Sequence, residues 1–467
     1  MLRIKDLSVC YEDDAIFWGV HLEAEPGELI AICGGSGCGK SSLLKAVNGI
    51  IGEEEVVLQG EIQMEGRSVW KESIGERSRW VSTVFQNPKT QFYCTNTTDE
   101  LAFALENRCV EREKIWETIR RCSKELGTDH LLDRNIFTLS GGEKQLVAIT
   151  ASVCMDNKVY LFDEPSASLD HSSIRQLQKI LRQLKAAGKI ILVAEHRLYY
   201  LKDLMDGLAV MHDGEMEVFR GKDLEEKNLG EIVKRYGLRT MEEITEKQLA
   251  DLERIRIHPR GKGKYRTEEA HLLCREFCVS YRGEKILDLS LGFDQGIHFI
   301  IGENGVGKTT FVKQLSGLIH GRGRGLYRGT PIKRHYQFMA MVMQDVNYQI
   351  FTESVWQEIS IVSKDKRKKE EVLRQLGLLE KRELHPQSLS GGEKQRLLLG
   401  MTALSEKPVV VLDEPTSGLC KGKMLQIVQY LREMEKEGRT VLVITHDYEL
   451  IRTCGGRIYE FVKEKKC

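Results

Sequence analysis

Residues 29–41 read Leu-Ile-Ala-Ile-Cys-Gly-Gly-Ser-Gly-Cys-Gly-Lys-Ser. The apolar run Leu29–Cys33 predicts a buried strand. Directly behind it, Gly34-Gly35-Ser36-Gly37-Cys38-Gly39-Lys40-Ser41 fits G-x-x-x-x-G-K-[ST], and Ser42 continues into helical sequence. Glycines let the backbone wrap a phosphate without side-chain obstruction, and the helix behind them aims its free N–H groups and dipole at the anion. Lys40 places a cation on the β and γ phosphates, and Ser41 offers a hydroxyl to Mg²⁺. The pattern recurs after the run Ile297–Ile301, as Gly302-Glu303-Asn304-Gly305-Val306-Gly307-Lys308-Thr309, with Thr310 next. One match is compatible with a chance glycine-rich turn. Two matches, each behind a predicted strand, are not.

The repetition extends well beyond the loops. Residues 139–145 and 389–395 both read Leu-Ser-Gly-Gly-Glu-Lys-Gln, an offset of 250. From Ser140 to Asp163 is 23 residues, as from Ser390 to Asp413; from Asp163 to His196 is 33, as from Asp413 to His446. Gln86, Gln91 and Glu100 share their spacing with Gln344, Gln349 and Glu358. Such agreement over separated segments is the mark of a duplicated domain. The first unit is read as 1–220 and the second as 271–467. The stretch 221–270 between them is read as a charged linker with twelve basic and eleven acidic residues. Residues 231–256 of it are compatible with helix, and the basic run 259–264 reads as flexible and solvated. Apolar runs at Leu29–Cys33, Val159–Phe162 and Ile190–Ala194, and at Ile297–Ile301, Val409–Leu412 and Val441–Ile444, alternate with helical sequence. The fold class is therefore α/β, with a mostly parallel sheet in each unit and ligands gathered beyond the carboxyl ends of its strands.

Composition narrows the function. The 467 residues carry 69 basic and 69 acidic side chains, without the basic footprint of a nucleic-acid binder. Twelve scattered cysteines fit a reducing compartment. Cys274 and Cys278 have no second pair and do not make a zinc motif. No signal peptide and no apolar run of about 20 residues is present, so no direct membrane span is expected.

Two acid pairs, Asp163-Glu164 and Asp413-Glu414, end apolar strands. An aspartate beside a phosphate loop suits Mg²⁺. The adjacent glutamate can polarise a water for attack on the γ-phosphate. His196 and His446, also behind strands, can hydrogen-bond that phosphate and align the water. Taken singly, each pair reads as a solvated turn and each histidine as structural; the repeated spacing favours chemistry.

With these motifs in order over both units, the chain resembles a tandem ATP-binding-cassette (ABC) ATPase. The resemblance implies two nucleotide-binding domains, each with a helical subdomain and a small antiparallel β region, closing head to tail over two Mg-ATP. Lys40, Gln86, Asp163, Glu164 and His196 would face Ser390, Gly391 and Gly392. Lys308, Gln344, Asp413, Glu414 and His446 would face Ser140, Gly141 and Gly142. Catalysis falls to Glu164, His196, Glu414 and His446. Mg²⁺ falls to Ser41, Gln86 and Asp163, and to Thr309, Gln344 and Asp413. Tyr11 and Tyr281, 29 and 27 residues before the loop lysines, resemble the adenine-stacking aromatic, with a core tyrosine as the competing reading.

The glutamine segments from Val84 and Val342 resemble those of the energy-coupling-factor importers, which take up vitamins or transition-metal ions. That implies a transmembrane coupling protein and a small substrate-binding membrane protein as partners, and a place on the cytoplasmic face of the cell membrane. No nucleic acid is expected. Docking is expected around residues 87–106 and 345–359. Glu100 and Glu358 would meet basic coupling helices or lie on a solvated helix face. The alternatives are the tandem ATPase of a sugar importer and a soluble ribosome-associated ATPase, the latter weakened by the charge balance of 221–270. A nucleotide-gated scaffold would bind ATP without releasing phosphate.

Two departures from the family pattern predict unequal sites. Asp170 has Cys420 as its counterpart, and Leu146 has Arg396. The Lys308–Glu414 site is expected to be the faster, with neither site dead. Cys38, beside Lys40 at a helix N-terminus, is either a reactive thiol or a small residue tolerated in the loop.

Overall fold

A computed structural model describes residues 1–11, 14–51, 56–70, 72–268, 270–281 and 283–463. The expected domain spans therefore include positions outside the described residues: 12–13, 52–55 and 71 in the first, 269 in the linker, and 282 and 464–467 in the second. The chain divides into two compact units, Met1–Glu243 with Cys420–Gly422, and Ile244–Leu419 with Lys423–Cys467.

The first unit is built on a six-stranded sheet in the order 215–220, 207–212, 29–34, 190–194, 159–163, 81–84. All pairings are parallel except the outer hairpin of Gly207–His212 with Glu215–Arg220. Its strands alternate between two cores. Leu29, Ala31 and Cys33 face helices that include His171–Ala186, which contributes Ile174, Leu177 and Leu181. Ile30 and Ile32 face a second, antiparallel sheet through Leu2, Ile4, Phe17 and Leu22. Burial on both faces explains the unbroken apolar runs, and each such side chain contributes about 1.5–3 kcal/mol. The antiparallel sheet is ordered 14–24, 2–11, 56–64, 67–68. A helical region, Thr97–Asn107 and Arg112–Leu126, has its own small core of Leu101, Leu105, Ile115 and Ile119.

The second unit repeats this plan with a change of edge in each sheet. Its six-stranded sheet runs 254–257, 457–461, 296–302, 440–444, 409–413, 339–342, and every pairing is parallel. The outer strand, Arg254–Ile257, comes from the stretch expected to be linker. That stretch is shared between the units. Glu226–Arg235 is helix and buries Leu229 and Ile232 with the first unit's core. Ile244 and Leu249 join the second unit's core, and Gly263–Tyr265 pairs parallel with Glu284–Phe293. The expected helix over 231–256 is thus replaced by the end of one helix, a 3₁₀ turn at Glu246–Leu249 and a strand. The physical reason is the Arg-Ile-Arg-Ile alternation at 254–257, a strand period that balanced charge obscures. Among the described residues, no helix is long and apolar enough to cross a membrane.

Candidate functional site

Each glycine-rich loop joins the central strand of its sheet to a helix, Lys40–Asn48 or Lys308–Leu315. Glycine is required at the bends. Gly34 has φ 148° and Gly302 φ 139°; a Cβ would stand 2.2 Å from the Met211 carbonyl oxygen in the first and 2.2 Å from that of Phe461 in the second. Gly39 and Gly307, at φ 97° and 107°, deliver the chain into the helix. The lysines are buried and curl over their own loops. Lys40 Nζ donates to the Gly35 carbonyl at 2.9 Å, and Lys308 Nζ to those of Gly302 and Glu303 at 2.6 and 2.9 Å. Cys38 Sγ is 3.8 Å from Lys40 Nζ. The loops present a concave backbone with a cation inside, which fits a polyphosphate.

Ser41 Oγ donates to Asp163 Oδ1 at 2.9 Å, so a hydroxyl and a carboxylate oxygen meet beside the loop. Thr309 also hydrogen-bonds Asp413, and burial pushes the Asp413 carboxyl up to about 6. Oxygen donors of this kind suit Mg²⁺. Glu164 and Glu414 come next at φ 46° and 52°, a backbone region that costs a non-glycine residue about 1–3 kcal/mol. Each is anchored by its amide to the next strand, Glu164 to the Ala194 carbonyl at 2.8 Å and Glu414 to that of Ile444 at 2.9 Å. His196 Nε2 lies 3.5 Å from Glu164, and His446 Nε2 lies 3.7 Å from Glu414.

The first unit's acids are held unusually far from their solution behaviour. Burial, then the neighbouring Glu195 carboxylate, pushes Glu164 up to about 8. Burial and the Lys40 charge hold the His196 imidazole well below its ordinary value, so it is neutral. Gln86 donates to Glu164 Oε2 at 2.7 Å, whereas Gln344 is exposed and makes no side-chain hydrogen bond among the described residues.

Glu195 is a functional neighbour that sequence reading passed over. Its buried carboxylate accepts the amides of Ser166, His196 and Arg197 at 3.3, 2.7 and 3.1 Å and the Tyr200 hydroxyl at 2.9 Å. In the second unit the anchoring carboxylate lies on the other side of the histidine. Asp447 accepts the Thr416 hydroxyl at 2.7 Å and the Leu450 amide at 3.2 Å.

Ser140 and Ser390 cap the helices Gly141–Cys154 and Gly391–Leu404. The repeated Ser-Gly-Gly-Glu is a capping box in both: Ser140 N donates to Glu143 at 2.8 Å and Ser390 N to Glu393 at 2.9 Å. Gly141, Gly142, Gly391 and Gly392 therefore occupy first helical turns. Tyr281 ends its strand 61 % exposed; Tyr11 is half-buried against the core that contains Phe17.

The glutamine segments are internally braced. Gln91 straps its loop to the Thr83 carbonyl at 2.8 Å and the Phe85 amide at 3.2 Å. Gln349 does the same with Met341 and Met343, both at 2.7 Å. Glu100 and Glu358, expected to meet a partner or lie on a solvated face, do neither: they are buried at 7 % and 0 % exposure. Glu100 accepts the amides of Tyr93 and Cys94, and Glu358 those of Phe351 and Thr352. Their spacing repeats because each tethers the loop to its helix. What each tether displays is an aromatic ring, Tyr93 at 78 % and Phe351 at 79 % exposure.

Comparison with known proteins agrees with this architecture. The ABC transporter family model matches residues 17–167 and 286–417. A "Putative ABC transporter ATP-binding protein" of Treponema denticola is 34 % identical over 98 % of this chain and 94 % of its own. One of the same description from Sulfurisphaera tokodaii is 30 % identical over 99 % and 96 %. Among solved structures, an RNase-L inhibitor covers 97 % of this chain and 87 % of its own at 23 % identity and TM-score 0.63. CbiO1 from Clostridium perfringens covers 50 % of this chain and 94 % of its own at 27 % identity and TM-score 0.44. The chain belongs to the ABC transporter family: it is an ATPase with two ABC cassettes.

Proposed function

We propose that the chain is the ATP-hydrolysing subunit of a membrane importer of the energy-coupling-factor type, taking up a vitamin or a transition-metal ion. Lys40 and Lys308 hold the β and γ phosphates within their loops, and Tyr11 and Tyr281 stack on the adenines. Ser41, Gln86 and Asp163, and Thr309, Gln344 and Asp413, would hold Mg²⁺. That ion supplies Lewis-acid charge on the phosphate oxygens. Glu164 and Glu414 polarise the attacking water, and His196 and His446 fix its alignment. On ATP binding the cassettes close head to tail, Ser140 coming to Lys308 and Ser390 to Lys40. A structure of the Glu164→Gln/Glu414→Gln protein in Mg-ATP should bring Ser140 to Lys308 and Ser390 to Lys40; separations that are the same with and without nucleotide would sink this reading.

The observation that carries the importer assignment is the matched display of Tyr93 and Phe351 over buried glutamates. An exposed aromatic ring on a rigidly tethered loop is a protein-docking feature. The partners proposed are a transmembrane coupling protein and a small substrate-binding membrane protein, with this chain peripheral on the cytoplasmic face. Pull-down from membranes should recover both, and Tyr93→Ala/Phe351→Ala should lose them while retaining basal ATP hydrolysis. Recovery undiminished by that double change removes the docking assignment.

A further inference from the structure

The net charge of zero conceals one strongly biased segment. Between Glu303 and Asp345 the sequence contains no aspartate or glutamate. Within it, Arg322, Arg324, Arg328, Lys333 and Arg334 are exposed, as is Arg275 on the adjoining strand. None of these six pairs with a carboxylate among the described residues; Arg328 lies over the Tyr327 ring, 5.6 Å from its centroid. Arg275 and Arg324 are directly opposite in the antiparallel pairing of Leu272–Tyr281 with Arg322–Tyr327. Like charges in that relation destabilise a sheet.

The first unit supplies an internal control. Its strands meet at the same kink: Asp6 at φ 48° faces Gly60, as Glu276 at φ 53° faces Gly323. A Cβ on Gly60 would stand 2.5 Å from the Asp6 carbonyl oxygen, and one on Gly323 would stand 2.4 Å from that of Glu276. From this anchor, Gln59, Glu61 and Glu65 correspond to Arg322, Arg324 and Arg328. In the first unit Lys5 stands opposite Glu61, a complementary pair, and Glu65 bonds Lys158. The second unit has replaced both acids by arginine and retained the cation across the strand. An unneutralised arginine pair, kept at a cost to the sheet, points to an anion that neutralises it from outside. Arginine matches phosphate oxygens with its planar fork.

We infer that this face of the second unit's small sheet binds the headgroup phosphates of an anionic lipid surface, in addition to any docking through protein partners. The inference rests on the membrane reading above. Four to eight clustered cations are what a bilayer surface recruits. The patch lies on a sheet and its hairpin, and exposed Leu318 and Tyr336 stand beside it in the sequence, at 50 % and 68 % exposure. An apolar and an aromatic side chain bordering cations suit a lipid interface. RNA is the less favoured polyanion, because the chain as a whole has no excess positive charge to draw it in.

The test is flotation of the full chain with vesicles of phosphatidylcholine alone or mixed with phosphatidylglycerol. Binding to the mixed vesicles only, weakening as salt rises, is the expected result. Arg324→Glu recreates the first unit's pair. It should weaken binding about 30-fold, with Arg324→Gln intermediate, because reversal removes one attraction and adds one repulsion. ATP hydrolysis without vesicles should be unchanged in both, which verifies the fold. Absence of vesicle binding, or binding indifferent to Arg324→Glu, overturns the inference. So does release by inorganic phosphate beyond an ionic-strength-matched chloride control, which assigns the site to free phosphate. Tighter binding of homopolymer RNA at the same salt overturns it in favour of nucleic acid. Membrane pull-down through Tyr93 and Phe351 reads the importer assignment separately, so the two ideas fail independently.

Discussion

Glu195-His196-Arg197 and Thr445-His446-Asp447 occupy the same place in the two units and solve the same problem with the charge on opposite sides of the histidine. Both turns must satisfy buried polar groups at the end of a strand. The first uses Glu195, which gathers three amides and a tyrosine hydroxyl. The second uses Asp447, turned to Thr416 and Leu450, and leaves neutral Thr445 beside the acid pair, where its hydroxyl approaches Glu414 at 3.5 Å. Each turn is anchored by a buried carboxylate, Glu195 with its four donors and Asp447 with the Thr416 hydroxyl and the Leu450 amide, but the electrostatics differ. Glu195 adds a second negative charge near Glu164, which makes the ionised form of that acid costly; Thr445 contributes none. Duplication thus preserved the scaffold while one exchange of position changed the field at the reacting carboxylate.

The largest effect expected from this difference is on turnover. Glu414→Gln should lower steady-state ATP hydrolysis by about 100-fold or more, and Glu164→Gln by less than about tenfold, since the first unit places the Glu195 carboxylate beside its base where the second unit has the Thr445 hydroxyl. Equal losses in a phosphate-release assay would break the comparison.

A second contrast lies four residues before each loop, where the first unit has Ile30 and the second has His298. Both are buried. His298 Nε2 donates to the Asp294 carbonyl at 3.0 Å, with Phe293 and Tyr459 edge-on at 5.4 and 5.5 Å. Burial holds its imidazole down to about 4. Between that value and the ordinary 6.5 the unfolded chain binds the proton and the folded chain does not. Stability therefore falls as pH falls through this window, by on the order of 3 kcal/mol once it is crossed. His298→Ile should flatten that part of the pH–stability curve, and the Asp294 carbonyl keeps the Thr440 hydroxyl at 2.9 Å. An unchanged slope in denaturant melts at pH 4.5 and 7 would exclude His298 as the cause.

Glu195→Gln sharpens the first comparison through stability. The four groups on this carboxylate are all donors, and an amide nitrogen in place of one oxygen strands at least one of them. A loss of about 1–3 kcal/mol is expected. Thr445→Val removes the long contact to Glu414 and the acceptor of the Asp447 amide at 3.0 Å, neutral groups in place of a carboxylate that gathers four donors, and should cost less. The reverse order in thermal melts would mean that the second turn leans on Thr445 more than on Asp447.

How much was legible in the sequence depends on how local each signal is. The phosphate loops, acid pairs and strand runs depend on neighbours a few residues away. The six expected strands appear within a residue or two of their expected limits, extended at the ends where Gly34, Asp163 and Asp413 still pair. Glu100 and Glu358 misled because their matched spacing looked like a shared partner. The shared feature is a tether to loop amides, visible only once the loop is folded. The 221–270 stretch misled because its balanced charge masks Leu229, Ile244 and Ile257, each buried in a different cluster. The exchange of Glu195 for Asp447 was invisible because alignment on the histidine places each carboxylate opposite a residue of another type.

The smallest effect concerns the residue that precedes the helix after each acid pair. Asp170 caps His171–Ala186, accepting the Ser173 amide and the Ser172 hydroxyl, both at 2.8 Å. Cys420 precedes Lys421–Lys436 in the second half of the chain, and a thiol is a weaker hydrogen-bond acceptor than a carboxylate. Cys420→Asp should therefore stabilise the start of that helix by about 1 kcal/mol, from a stronger cap together with the favourable meeting of a carboxylate and a helix N-terminus. Thermal melts of the variant and of Asp170→Ala in the first unit should move in opposite directions by similar amounts. If Cys420→Asp destabilises instead, the departure at this position serves something other than helix capping.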